Sequence, residues 1–242
     1  MRYGIFGDVH SNLEALEAMI HAFKDESIEQ YLCVGDIVGY AANPIECIER
    51  IRSLPAVIVA GNHDWAAVNL FSLDYFNPIA CEAIIWTKAR IDEERKSFLE
   101  GLKLTFMNKD LTLVHGTLNN PNEFNYMTDG FIAEETFRLF DTPVCFVGHT
   151  HVPGIFSKDA SEHILYREDD SCNIEQGSKY IINVGSVGQP RDGNPKASYC
   201  IYDTGIKEIQ IKRVDYDIEA TRTKINNFGL PEYLGHRLFL GR

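Results

Sequence analysis

Apolar runs of strand length recur along the first 151 positions, and each ends in glycine and polar residues. Tyr3 to Phe6 runs into Gly7-Asp8-Val9-His10-Ser11-Asn12. Tyr31 to Val34 runs into Gly35-Asp36, and Ala56 to Ala60 into Gly61-Asn62-His63-Asp64. Between them lie stretches with helical spacing. Leu13, Leu16, Met19, Ile20 and Phe23 predict a helix from Ser11, its N-cap, to Lys24. Ile45, Ile48 and Ile51 predict a second helix beginning near Asn43, with Pro44 in its first turn. The first 65 residues therefore read as β-α-β-α-β. Ala56 to Ala60, apolar throughout, suits a strand covered on both faces.

From Pro78 to Leu102 the spacing is helical, with a break near Ile91-Asp92. Ala80, Ala83, Ile84 and Ala89 are expected inside, and Glu93, Glu94, Arg95 and Lys96 in solvent. A hairpin follows, Leu104 to Met107 and Leu111 to Val114 about Asn108-Lys109, ending in His115-Gly116. The stretch Thr117 to Gly130 is polar and aromatic, and a loop that long in a compact fold is usually functional. A helix over Phe131 to Phe140 leads to the strand Val144 to Val147, which ends in Gly148-His149-Thr150-His151. The remainder reads as a meander of strands: Val152 to Phe156, His163 to Arg167, Tyr180 to Val184, Ser198 to Asp203 and Ile206 to Val214. Two helices close it, Ile218 to Asn226 and Pro231 to Leu240.

With 45% hydrophobic and 24% charged residues and no linker-like stretch, the chain is expected to form one domain over 1–242. No apolar stretch approaches the ~18 residues of a membrane span, and the N-terminus lacks a signal-peptide core. The six cysteines are scattered without a CxxC, which suits reduced core thiols in a cytoplasmic protein. A net charge of −12 argues against a long nucleic acid or an anionic membrane as partner. It leaves an anionic small substrate open, since metal ions would reverse the local charge.

The strand-end groups are the candidate chemistry. Singly, each has an ordinary reading: Asp8-x-His10 and Asp36 as turn or cap residues, Asn62 as a turn former, His115 as a satisfied histidine. Together, Asp8, His10, Asp36, Asn62, His115, His149 and His151 offer seven oxygen and nitrogen ligands and no thiolate, a set suited to Mn, Fe, Zn, Ni or Co. Seven exceed what one tetrahedral ion needs. Two ions sharing a carboxylate would use them all, as in two-metal phosphoryl-transfer sites. His21, His163 and His236 lie outside any motif.

In this order, D-x-H, G-D, G-N-H-[DE], H and G-H-x-H, the motifs resemble the calcineurin-like metallophosphoesterase family from Asp8 to His151. Asn183-Val184-Gly185-Ser186-Val187-Gly188 looks like a further family feature. The resemblance implies an α/β fold, a four-layer α/β/β/α sandwich of two mixed sheets. It implies two divalent ions, manganese favoured: one held by Asp8, His10 and His151, the other by Asn62, His115 and His149, with Asp36 bridging. A metal-bridging hydroxide would attack phosphorus, and His63 would assist the leaving group as the catalytic acid.

The protein phosphatases of that superfamily carry G-D-x-V-D-R-G at the second motif, whereas this chain has Gly35-Asp36-Ile37-Val38-Gly39-Tyr40-Ala41. The Asp that orients the histidine and the Arg that grips phosphate are both missing. His63 then needs another partner, Asp64 or a backbone carbonyl. The chain looks more like the small prokaryotic phosphodiesterases or the diadenosine tetraphosphate hydrolases. The expected function is hydrolysis of phosphodiester or phosphoanhydride bonds of a small phosphate-ester or nucleotide substrate. The alternatives are a non-catalytic binding scaffold, a phosphomonoesterase or a protein phosphatase. Asn12, Tyr40 and Arg191 are candidate substrate contacts, with Glu123, Phe124 and Tyr126 as a candidate wall.

Overall fold

A computed structural model describes residues 1–242. The elements run β1 (Arg2–Phe6), α1 (Leu13–Lys24), β2 (Gln30–Cys33), α2 (Pro44–Arg52), β3 (Ala56–Ile58), α3 (Asn62–Ala67), α4 (Pro78–Lys88) and α5 (Glu93–Glu100). Next come β4 (Thr105–Met107), β5 (Leu111–Val114), α6 (Gly130–Phe137), β6 (Val144–Val147), β7 (Gly154–Lys158), β8 (Ile164–Arg167) and β9 (Ser171–Asn173). β10 (Lys179–Asn183), β11 (Ala197–Asp203), β12 (Glu208–Val214), α7 (Ile218–Asn227), α8 (Glu232–His236) and a 3-10 turn (Arg237–Leu240) complete the chain.

The strands form two mixed six-stranded sheets, ordered β3-β2-β1-β11-β12-β9 and β4-β5-β6-β10-β7-β8. Strand alternation assigns the layers. Ile5, Val144, Phe146, Tyr180, Ile182, Cys200 and Tyr202 point into the core between the sheets. Their neighbours point outward: Phe6, Tyr199 and Ile201 meet Leu16, Met19 and Phe23 of α1 and Ile48 and Ile51 of α2. On the far side Cys145, Val147 and Ile181 meet Ala133 and Phe137 of α6. The result is the expected four-layer α/β/β/α sandwich.

Four local expectations are corrected. Ser11 does not cap α1; its backbone is left-handed (φ 58°), and Asn12 is the cap, its side chain accepting from Ala15 N–H at 3.2 Å. The third strand is a three-residue edge strand of partial burial rather than a run covered on both faces. The C-terminal strands are not a meander: β11 inserts beside β1, antiparallel, and β10 beside β6, parallel. Ala89, expected inside, is exposed.

β1, β2 and β3 run parallel, as do β5, β6 and β10, so the carboxyl ends within each set share an edge. Substrates of open α/β sheets bind at such edges. Phe146 lies in the middle of the inter-sheet core and is fully buried. Phe146→Ala is expected to cost about 3–5 kcal/mol, read as a lowered urea midpoint at unchanged m-value; an unmoved midpoint would contradict this layer assignment.

Candidate metal centre

The loops leaving β1, β2, β3, β5 and β6 bring their polar residues into one cluster. Asp8, His10, Asp36, Asn62, His63, His115, His149 and His151 are all buried, the most accessible being Asn62 at 7%. The backbone is bent to achieve this. Asp8 and His10 (φ 50°), Asp36 (55°), His149 (68°) and His151 (61°) are left-handed, a conformation that costs non-glycine residues energy and tends to gather at functional sites. The glycines beside them allow close approach. A Cβ on Gly61 would lie 2.0 Å from Asp36 Oδ1, and one on Gly148 would lie 2.4 Å from Asp8 Oδ2.

Backbone carbonyls fix the histidine tautomers. His10 Nδ1 donates to Val38 O (3.1 Å), His115 Nδ1 to Val34 O (2.7 Å) and His151 Nδ1 to Gln189 O (2.7 Å). A carbonyl only accepts, so in each neutral ring Nε2 carries a bare lone pair. These lone pairs face other acceptors. His10 Nε2 lies 3.0 Å from His151 Nε2, which lies 3.2 Å from Asp8 Oδ1. His115 Nε2 lies 3.1 Å from His149 Nδ1, 3.2 Å from Asn62 Oδ1 and 3.3 Å from Asp36 Oδ2.

Asp36 Oδ1 accepts from His63 N–H (2.8 Å), while Oδ2 is buried without a hydrogen-bond partner and also lies 3.6 Å from His10 Nε2. Between His10 Nε2 and His151 Nε2, both acceptors, no hydrogen lies, and nitrogens and oxygens converging in this way fit divalent cations. They form two such groups, Asp8-His10-His151 and Asp36-His115-His149, with Asp36 Oδ2 within reach of both. The Nδ1–H···O=C bonds supply the outer contacts that orient metal-ligating histidines.

In the ion-free cluster the charge is shared between Asp36 and His115, a proton on His115 standing where a cation would otherwise balance the carboxylate. Burial opposes charge on Asp36, yet His115, His63 and His10 around it hold its carboxyl well below the usual range. Against burial, Asp36 carries His115 up to about 9. Burial drives His10 and His149 well below the ordinary imidazole value and lowers His63 to about 4.

Two neighbouring segments hold the turns. Asp64 accepts from the backbone N–H of Asp36 (2.8 Å), Ile37 (2.8 Å), Val38 (3.2 Å) and Gly61 (3.1 Å). The segment after β10 laces the opposite side. Asn183 Nδ2 donates to Gly148 O (2.8 Å), and Ser186 Oγ and Gly188 N–H both donate to Asp8 O at 2.8 Å.

Asp64 is thus not the partner of His63, and neither is a carbonyl: His63 Nδ1 is buried and unpartnered. Packing positions the ring instead, with Tyr40, His10 and Phe76 at centroid distances of 4.5, 4.7 and 4.9 Å. By proximity alone His63 could also ligate, since it lies within 4.8 Å of His10 and Asp36.

A cavity of about 230 Å³ opens over the cluster, lined by Tyr40, His63, Tyr126 and Arg191 among others. Glu123 and Phe124 line it too, and Tyr126 stacks on His149 at 3.9 Å. Arg191 Nη2 donates to Tyr40 Oη at 3.3 Å. Asn12 is not in the cavity. It is fully buried, donating to Gly188 O (2.8 Å) and accepting from Ala15 N–H and Thr221 Oγ1. Phe71, Tyr75 and Phe76, which the sequence reading passed over, form a further aromatic wall. Their signal was an aromatic cluster in a loop just after the third ligand motif.

Residues 1–207 match the calcineurin-like phosphoesterase superfamily domain. A metallophosphoesterase crystal structure from Sphaerobacter thermophilus superposes with a TM-score of 0.88 at 42% identity, covering 100% of this chain and 99% of that one. The uncharacterized protein MJ0912 of Methanocaldococcus jannaschii is 43% identical over 242 residues, 98% of this chain and 97% of its own length. The phosphodiesterase YfcE of Escherichia coli is 24% identical over 221 residues, covering 86% and 91%. The chain belongs to the calcineurin-like phosphoesterase superfamily. Its members are divalent-metal phosphoesterases, and the converging acceptors described above suit that chemistry.

Asp64→Ala leaves four buried amides without an acceptor, each orphan costing about 1–3 kcal/mol. Urea unfolding is expected to show a loss of at least about 3 kcal/mol, and Asp64→Asn, which keeps one carbonyl oxygen, a smaller one. Equal stability of Asp64→Ala and wild type would contradict the clamp.

Proposed function

We propose that this chain, acting as one unit over 1–242, is a dinuclear metal-dependent phosphoesterase that cleaves phosphodiester or phosphoanhydride bonds of a small substrate. The observation that carries this reading is the convergence of histidine nitrogens and carboxylate and amide oxygens on two points with Asp36 Oδ2 reaching both. In this reading Asp8, His10 and His151 hold one ion, Asn62, His115 and His149 the other, and Asp36 bridges. When bound, the ions supply Lewis-acid stabilisation of the phosphoryl oxygens and a nucleophile at neutral pH. Manganese is the metal to try first.

The chain's own residues then divide the work. His63 lines the cavity, and in this reading it takes up a proton once phosphate charge stands beside it and gives that proton to the leaving oxygen. Arg191 holds a guanidinium beside Tyr40, the residue that stands where protein phosphatases of the superfamily carry an arginine, and in this reading steadies the phosphoryl group. Phe71, Phe76, Phe124 and Tyr126 wall the cavity and keep water from the reacting bond.

A cavity of about 230 Å³ suits a small ester better than a phosphoprotein. The likeness to YfcE, named a phosphodiesterase, supports the diester preference. Six unpaired cysteines, five of them buried, support a reducing, cytoplasmic setting, and no helix is long and apolar enough to cross a membrane.

The test is hydrolysis of bis(p-nitrophenyl) phosphate with added Mn²⁺. Wild type is expected to turn over and Asp36→Asn to lose both turnover and bound metal. His63→Ala should keep its metal and lose on the order of 10²–10⁴ in kcat. Failure of the wild type on mono-, di- and dinucleoside substrates alike would overturn the proposal. A full complement of two ions in that inactive protein would then point to a binding scaffold.

A further inference from the structure

We propose that the cavity continues into a second anion subsite, built by Arg191 and Arg237, that takes the distal phosphate of a substrate carrying two or more linked phosphates. The inference rests on the phosphoesterase reading and narrows its substrate class to nucleoside polyphosphates and related pyrophosphate-linked compounds.

A second cavity, of about 530 Å³, adjoins the first and shares Tyr40, Asn77, Tyr126 and Arg191 with it. Its outer side is Tyr233 and Arg237. Both guanidiniums line this one cavity and are half-buried, and burial, followed by the charge of Arg191, lowers the pKa of Arg237. Neither meets a side-chain carboxylate, although the chain carries 35 acidic residues against 23 basic ones. Arg191 Nη2 donates to Gln189 Oε1 (2.9 Å) and to Tyr40 Oη, and its Nε is buried with no partner. Arg237 Nε donates to a terminal carboxylate oxygen of Arg242, so of its nitrogens it is the Nη pair that meets no anion. The nearby carboxylate of Asp192 is taken by Arg213. Paired like charges in a partly desolvated site are unfavourable, and an anion between them relieves that. Forked guanidiniums recognise phosphate oxygens in pairs.

The site is built rather than incidental. Leu234 and Leu238, on either side of Arg237, are buried in one cluster with Tyr40, Ala41 and Ala42. Gly193 N–H donates to Gly241 O (2.9 Å), tying the loop that carries Arg191 to the C-terminal turn that carries Arg237. Arg191 N–H donates to the carbonyl of His151, a candidate ligand, so the inner and outer sites share one backbone connection. Tyr233 and Arg237 belong to the C-terminal segment, beyond residue 207, where the superfamily match ends.

The test is calorimetric titration of the Mn²⁺-loaded full chain with AMP and with α,β-methylene-ADP, which cannot be cleaved between its phosphates. Wild type is expected to bind the diphosphate analogue at least about tenfold more tightly than AMP. In Arg237→Gln the two affinities should become nearly equal, and in Arg237→Lys, which keeps the charge without the fork, the ratio should fall between. Equal affinities in wild type, no binding of either, or an unchanged ratio in both variants would overturn the subsite. Hydrolysis of bis(p-nitrophenyl) phosphate by the wild type, measured alongside, separates the two claims. A protein that discriminates by Arg237 but hydrolyses nothing retains the subsite and loses the phosphoesterase reading.

Discussion

Asp36 is a carboxylate only 1% exposed, with one oxygen that no protein hydrogen reaches. A buried charge of this kind is expensive unless it is paired or coordinates a cation. Most of what surrounds it can be understood as a response to that constraint. Four histidine nitrogens and two further side-chain oxygens are aimed into the same space, with the tautomers of His10, His115 and His151 set by carbonyls so that lone pairs point inward. Such an arrangement is unfavourable for a protein core and well suited to a pair of divalent ions.

The scaffold exists to hold these turns. Two six-stranded sheets pack through a dry core, and parallel pairing within each delivers successive strand ends to one edge. Five of the seven candidate ligands, Asp8, His10, Asp36, His149 and His151, then sit on left-handed residues just past those ends, where the chain leaves the sheet. Each such residue costs about 1–3 kcal/mol, and the surroundings over-determine the geometry to offset it. Asp64 gathers four amides around the Asp36 turn, and the Asn183 to Gly188 segment stitches the Asp8 turn to the Gly148 turn. Residues that touch neither metal nor substrate thereby fix where the ligands stand.

The strand ends were legible because an apolar run followed by glycine and a ligand-type residue is a local pattern, and it recurs. The four-layer sandwich followed from the superfamily resemblance those motifs carry. What was not legible is non-local. Nothing in the sequence near Ala197–Asp203 says that it pairs with Arg2–Phe6 across the whole chain, so the C-terminal half read as a meander. β9, Ser-Cys-Asn, is too short and polar to announce itself. Ser11 and Asn12 are both good caps by type, and only the left-handed turn at Ser11 decides for Asn12, which also removes its amide from the cavity. Asp64 stands next to His63 in sequence yet turns away to the backbone, leaving His63 held by rings. The wall of Phe71, Tyr75 and Phe76 lay in a stretch without period or motif.

The acidic balance of the chain, −12 overall, gives way at the site to a different local arrangement: Arg191 and Arg237 beside the cavity with no side-chain carboxylate on either, and side chains suited to cations within it. The central claim is that two divalent ions sit close enough to share Asp36. The most direct measurement is electron paramagnetic resonance of the metal-free protein titrated with Mn²⁺. The account predicts binding that saturates at two equivalents with the multiline spectrum of an exchange-coupled pair, lost in Asp36→Asn. Saturation at one equivalent, or a spectrum of isolated ions at two, would contradict it.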